Sequence, residues 1–153
     1  MHKIFRVVID TNHIISAILS ARGASSKLID WMTGEKDCFR LLLSEPIWDE
    51  YNTVADWLIP GSKQIEKKRI MKTVQAQAEW IIPSLQLEVC LDRSDNSFLE
   101  CAVAGKADYL VTKNIRHFPQ KQYRNVKIVR IKKFLDVLEK MEKEQELYKA
   151  RNS

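Results

Sequence analysis

The chain has 153 residues, 45% of them hydrophobic, with only 4 Gly and 4 Pro, a composition that excludes a loop-built or disordered protein and suits one domain, 1–153. Its formal net charge of +5 is a modest excess, so the placement of the charges carries more information than their sum. No segment approaches the roughly 20 apolar residues of a membrane span, Arg6 and Asp10 interrupt any signal-peptide core, and Cys38, Cys90 and Cys101 form neither a CxxC pattern nor a disulfide framework. Buried, reduced thiols in a cytoplasmic protein with no membrane partner are therefore expected.

In chain order, Lys3 to Ile9 is a β-branched run that stops at Asp10-Thr11-Asn12, the pattern of a buried strand and its exit. Ile14 to Leu19 reads as helix. Ser25-Ser26 can cap a second helix through about Met32, closed by Gly34. Cys38 to Leu43 is a second strand, and Ser44-Glu45-Pro46 opens a third helix that runs to about Leu58. A fourth helix extends from Ser62 to about Ile82, where Pro83 stops it. Leu87 to Leu91 is expected as a third strand, Ser94 to Ala104 as a helix, and Tyr109 to Thr112 as a fourth strand. Val126 to Ile131 gives a short fifth strand before a final helix, about 132–148. Strands alternating with helices indicate an α/β domain around a mainly parallel sheet.

In open parallel sheets, ligands sit beyond the carboxyl ends of the strands. The first strand delivers Asp10, Thr11 and Asn12 there, and the second delivers Ser44 and the helix carrying Glu50. The third delivers Asp92 and Asp95, and the fourth Thr112 and Asn114. Asp10 is equally well accounted for as a helix cap. Glu50 lies among Ile47, Tyr51, Val54 and Leu58, the apolar stripe of its helix, and a carboxylate there needs a salt bridge or a metal. Asp95, with Ser94 as N-cap, is in phase with Leu99 and Ala102 on the packed face. Glu100 falls off that line, as a solvated surface residue would.

Carboxylates gathered at one point repel, and a divalent cation removes the conflict. Oxygen donors suit Mg²⁺ or Mn²⁺. His2, His13 and His117 are scattered without metal-ligand spacing, and His13 reads as a partly exposed bystander. The chemistry of such acid clusters is phosphoryl transfer, and the lack of a Gly-rich phosphate loop argues against a nucleoside triphosphatase. From Lys113 to Lys133 there are eight Lys or Arg and no acid, and Lys63, Lys67, Lys68, Arg69 and Lys72 form a second basic group. Basic surface beside an acidic site is what a nuclease needs, although a solvated charge run accounts for the second group as well. Trp31, Trp48, Trp57 and Trp80 all fall on expected helices and read as core.

VVIDTN, SEPIWDEY, DRSDNSFLECAVAGKADYLVTKN and IRHFP, in this order and spacing, resemble a PIN-domain protein, closest to the toxin-component branch similar to VapC. The resemblance covers about Arg6 to Leu138. It implies a PIN-like three-layer α/β/α sandwich with a central five-stranded parallel sheet, its core about 4–138. It also implies endoribonuclease activity dependent on Mg²⁺ or Mn²⁺, a small antitoxin partner, and a homodimer. Matched motif to motif, Asp10, Glu50, Asp95 and Asn114 fall on the acidic catalytic positions. Asp92 falls on an additional metal-site acid and Thr112 on the strand-end hydroxyl. In the resulting scheme Asp10, Glu50, Asp95 and Asp92 hold the metal, while Asn12, Thr112, Lys113 and Arg116 contact RNA. The main departure is Asn114, where the family usually has Asp: a neutral amide holds a second metal more weakly. A catalytically weak PIN module that binds RNA or protein without cleaving is the competing expectation. A small-molecule phosphatase is disfavoured by the absence of a DxD pattern.

Overall fold

The computed structural model describes residues 3–33 and 38–153. The expected helix end at Gly34 lies outside the described residues. Six strands form one sheet in the order β3-β2-β1-β4-β6-β5, built from β1 (Phe5–Ile9), β2 (Phe39–Leu43), β3 (Glu79–Trp80), β4 (Tyr109–Val111), β5 (Gln122–Tyr123) and β6 (Val126–Val129). All neighbouring pairs are parallel except β5 with β6. The helices are α1 (Thr11–Leu19), α2 (Ala24–Thr33), α3 (Glu45–Leu58), α4 (Gln64–Gln77), α5 (Asn96–Ala104) and α6 (Ile131–Arg151).

β1, β2 and β4 are apolar because helices cover both sheet faces, and Val7, Val8, Ile9, Leu41, Leu42, Leu43, Leu110 and Val111 are fully buried. Side chains alternate across a strand, so Phe5, Phe39 and Tyr109 share one face, where Phe134 of α6 packs edge-on against Phe5 and Phe39 and tilted against Tyr109. The opposite face carries Arg6 and Leu42 and is covered by α5. Gly105 ends that helix so close to the sheet that a Cβ would lie 2.8 Å from Leu42 Cδ1. A side chain here would force Leu42 or the end of α5 to shift.

The expected parallel α/β sandwich is present, with six strands in place of five, and the third strand is not where the sequence suggested. α4 ends at Gln77, and the residues after it turn back along β2, where Ile81 N–H donates to Leu43 O (2.7 Å). Glu79 is also claimed by Arg6, through a paired guanidinium–carboxylate contact. These tertiary contacts override the helix propensity of the QAQAEW run. Residues 87–91 join no strand, because side chains of α5 take their amides: Glu100 accepts from Leu87 N–H (2.8 Å), and Asn96 Oδ1 accepts from Val89 and Cys90 N–H (3.2 and 3.0 Å). Glu100 is thus half-buried and structural, not a solvated face residue.

Other local expectations also change. Ser25 and Ser26 do not cap α2 but lie buried inside it, Ser26 donating to Ala17 O (3.2 Å) and to Ser20 O. Ser44 occupies the N-cap of α3, yet its side chain makes no cap hydrogen bond. Trp57 is 85% exposed, and Trp80 lies on β3 rather than on a helix. Cys38 and Cys101 are buried as expected.

Candidate functional site

β1 and β4 are paired neighbours, with Ile9 opposite Val111, so the residues just past their ends meet. Asp10 is 6% exposed and Thr112 fully buried. Thr112 Oγ1 donates to Asp10 Oδ2 (2.6 Å), and Asn114 N–H donates to Thr112 Oγ1 (3.0 Å). The other carboxylate oxygen of Asp10 accepts from Asn12 N–H (3.3 Å), capping α1. Cap and convergent acid are therefore one residue doing two jobs.

Glu50 arrives from α3. The neighbouring Tyr51, fully buried, donates its hydroxyl to Ile9 O, which ties α3 to the end of β1. Thr11 Oγ1 donates to Glu50 Oε2. The inward stripe of α3 is Ile47, Tyr51 and Ala55, all fully buried, while Leu58 is 53% exposed. Glu50 accordingly sits half-buried on the flank of that stripe, not on its centre.

The third contribution comes from a 3-10 turn, Arg93–Asp95, that leads into α5. Asp92, not Ser94, caps it: Asp92 Oδ1 accepts from Ser94 N–H (3.0 Å) and from Ser94 Oγ (2.9 Å). Asp95 is 7% exposed and its Oδ2 lies 3.0 Å from His117 Nδ1.

Burial is the main force that raises the proton affinity of Glu50, opposed by the Thr11 hydroxyl and reinforced by the charges of Asp10, Asp95 and Asp92. Asp95 is likewise raised mainly by burial; contact with His117 opposes the shift, and Asp10 and Asp92 add to it. Exposed Asp92 is held below the usual carboxylate range by the Ser94 hydroxyl and amide. Among the described residues, no Lys or Arg is paired with any of these four acids. A cluster of oxygen donors, partly desolvated and, among the described residues, without a Lys or Arg partner, is chemically suited to a hard divalent cation.

Of the remaining expected site residues, Asn12, Lys113 and Arg116 are exposed at the same edge, and Lys113 Nζ contacts Ser16 Oγ (3.1 Å). The long basic run does not form one patch. Lys127 pairs in register with Tyr109 at the start of β4, the opposite end of the sheet from Thr112, whereas Lys113 and Arg116 flank Asn114. In the second basic group, Lys67 is engaged by Asp56.

His13 is buried, 1% exposed, rather than a partly exposed bystander, with Nδ1 3.1 Å from Ser25 Oγ. Burial pushes its pKa down to about 4, so it is neutral. The residue that sequence reasoning missed is His117. Its ring and the carboxylates of Asp92 and Asp95 bring ligand atoms within 4.8 Å of one another. Sequence spacing could not reveal this, because 22 residues separate Asp95 from His117. The available signal was His117 standing three residues after Asn114, one 3-10 turn away.

No curated protein matches the chain. Its backbone is similar to that in the crystal structure of VapBC2 from Rickettsia felis bound to a DNA fragment from their promoter. That likeness has a TM-score of 0.54 and 16% identity over 80% of this chain and 96% of the other, a likeness of fold. The PIN-domain family model matches residues 6–116, a span that holds Asp10, Glu50, Asp92, Asp95 and Asn114. The chain belongs to the PIN-domain family.

Proposed function

We propose that the chain is a divalent-cation-dependent endoribonuclease, the toxin component of a toxin–antitoxin pair, acting in the cytoplasm as a single PIN domain. The observation that carries this reading is the convergence of Asp10, Glu50 and Asp95, from three separate segments, at the carboxyl edge of the sheet without a Lys or Arg partner among the described residues. Family membership supports it.

In this reading Asp10, Glu50 and Asp95 hold Mg²⁺ or Mn²⁺, with Asp92 and Asn114 assisting. The bound cation supplies Lewis-acid stabilisation of phosphoryl oxygens and makes water a stronger nucleophile near neutral pH. The chain's own residues place it. Thr112 fixes the rotamer of Asp10, Thr11 fixes Glu50, and Tyr51 locks the helix of Glu50 to the strand end of Asp10. Lys113 and Arg116, exposed beside Asn114, attract and orient the phosphate backbone, with Asn12 exposed at the same edge. A VapB-like antitoxin partner is suggested by the complex in which the structural neighbour occurs. A homodimer is the expected assembly of the free toxin.

Asn114 supports a second reading, a PIN module that binds RNA without cutting it, because a neutral amide replaces an acid at the rim. Metal-stripped protein resupplied with Mn²⁺ or Mg²⁺ is tested on structured and single-stranded RNA beside an Asp10→Asn/Asp95→Asn double variant. Cleavage that requires metal and disappears in the variant supports the nuclease. RNA binding by both proteins with cleavage by neither sinks it in favour of the binding module.

A further inference from the structure

His117 lies one residue beyond the span matched to the family, and the scheme above gives it no role. It does not approach Asp95 by chance. Its amide donates to Asn114 O (2.9 Å), and its carbonyl accepts from Leu91 N–H (2.7 Å), the residue before Asp92. Phe118, next in the chain and 7% exposed, anchors the turn in the core. The backbone therefore fixes the segment that presents Asp92 and the turn that presents His117 against each other, before any ligand arrives.

We propose that His117 is a metal ligand: with Asp92 and Asp95 it forms a cation position at the rim of the site, one that favours Mn²⁺ over Mg²⁺. The proposal rests on the reading that Asp95 holds a divalent cation and extends it to a donor of a different chemical kind. Neighbouring ligands of an octahedral ion, each at about 2.1 Å, lie about 3.0 Å apart. Asp95 Oδ2 and His117 Nδ1 are 3.0 Å apart. The three ligand atoms lie within 4.8 Å of one another, close enough for one ion to draw them together by small side-chain rotations.

The rim is open to solvent. Asp92 is exposed, the His117 side chain is 36% exposed, and His117 also lines a cleft with Val89, Cys90, Leu91 and Arg116. Imidazole nitrogen is a poor donor for Mg²⁺ and a good one for the softer transition metals. The nitrogen also supplies a lone pair close to Asn114, the position where this chain lacks the family's usual acid. A 3.0 Å contact equally suits a hydrogen bond in which His117 merely orients Asp95, so the deciding measurement must see the nitrogen.

Full-length protein is stripped of metal, titrated with Mn²⁺, and examined by electron spin echo envelope modulation, with natural and ¹⁵N-histidine samples. The expected result is a histidine-nitrogen coupling to Mn²⁺ that changes with the isotope and vanishes in His117→Gln and His117→Asn. Mn²⁺ dissociation constants of the folded variants rise by at least about tenfold, while Mg²⁺ binding falls less. Mn²⁺ bound without histidine coupling overturns the assignment of His117 but leaves the carboxylate site standing, as does a coupling that survives both substitutions. Failure of Mn²⁺ to bind the wild-type protein overturns the rim position and the metal-dependent reading together.

Discussion

The sheet carries two clusters of charge, and they are built on opposite logic. Near the start of β1, Arg6 donates to both oxygens of Glu79, and its Nε donates to Gly105 O (2.8 Å). Its amide donates to Asp108 Oδ2 (2.9 Å), and Asp108 Oδ1 faces Lys3. There Glu79 is held below its usual range by Arg6. Past the end of the same strand, Asp10, Glu50 and Asp95 stand together without a Lys or Arg partner among the described residues, and burial lifts Glu50 and Asp95. The first cluster is complete in the protein alone and joins β1, β3 and the end of α5. The second is left unbalanced, which is costly unless something positive arrives.

The largest expected effect comes from removing the acids that would receive that charge. Asp10→Asn with Asp95→Asn is expected to lower metal-dependent RNA cleavage by roughly a thousandfold, the several kcal/mol a catalytic cation supplies. Single-turnover assays on folded protein measure it; comparable loss in an Arg6→Met variant that still melts cooperatively would erase the distinction between the clusters.

Cation binding should also stabilise the fold. At a hundredfold excess over its dissociation constant, Mn²⁺ is worth about 2.7 kcal/mol, or roughly 5–10 °C in a chain of this size. Thermal melts with Mn²⁺ and with chelator check this. Glu50→Gln is expected to diminish most of the shift, whereas Glu79→Gln leaves it intact.

Acidity should separate the clusters by sign. Glu50 and Asp95 bind protons more tightly in the folded chain than in the unfolded one. Metal-free protein therefore gains stability from them as pH falls from neutral through their raised pKa values, a gain complete below the ordinary carboxylate range of about 4. Glu79 works in reverse: its contribution is present above its ordinary value and is lost as pH falls through its depressed one. Buried His13, with its pKa pushed down to about 4, also opposes Glu50 and Asp95, because the unfolded chain protonates this residue as pH falls below its ordinary value of 6.5. Melts with chelator between pH 7.5 and 5 should thus fall, and Glu50→Gln, which removes an opposing gain, should steepen the fall. With Mn²⁺ present, the fall steepens further, because protons compete for the ligands.

A smaller effect concerns the complete cluster. Arg6→Met removes the hydrogen bond to Gly105 O and the partly exposed pair with Glu79, for a loss of about 1–2 kcal/mol. Chemical denaturation measures it, and an unchanged midpoint would show that the cluster stabilises little.

These clusters were unequally legible in the sequence. Asp10, Glu50 and Asp95 each end or flank a strongly patterned element, and the order of strands and helices sends them all to one edge. The Arg6–Glu79 pair was invisible, because Glu79 lies in a run of good helix formers and only the ladder with β2 turns it into strand. The supposed strand at 87–91 failed for the converse reason. Its pattern is extended, but Asn96 and Glu100 consume the amides that a neighbouring strand would need. His117 looks isolated in the sequence because its partner Asp95 comes from a turn 22 residues away. Local pattern reports the period of an element, and long-range side-chain hydrogen bonds decide where it stops.

The two outer strands of the sheet, β3 and β5, are each two residues long. Exposed strand edges are where foreign chains add themselves, in both productive recognition and fibril growth. These edge strands are too short to present a long template, and Lys121, Arg124 and Lys127 surround β5 with positive charge. A partner that extends the sheet would gain few ladder bonds at β3 or β5, so recognition of this protein falls to helix faces and loops, and the same feature guards it against edge-to-edge aggregation.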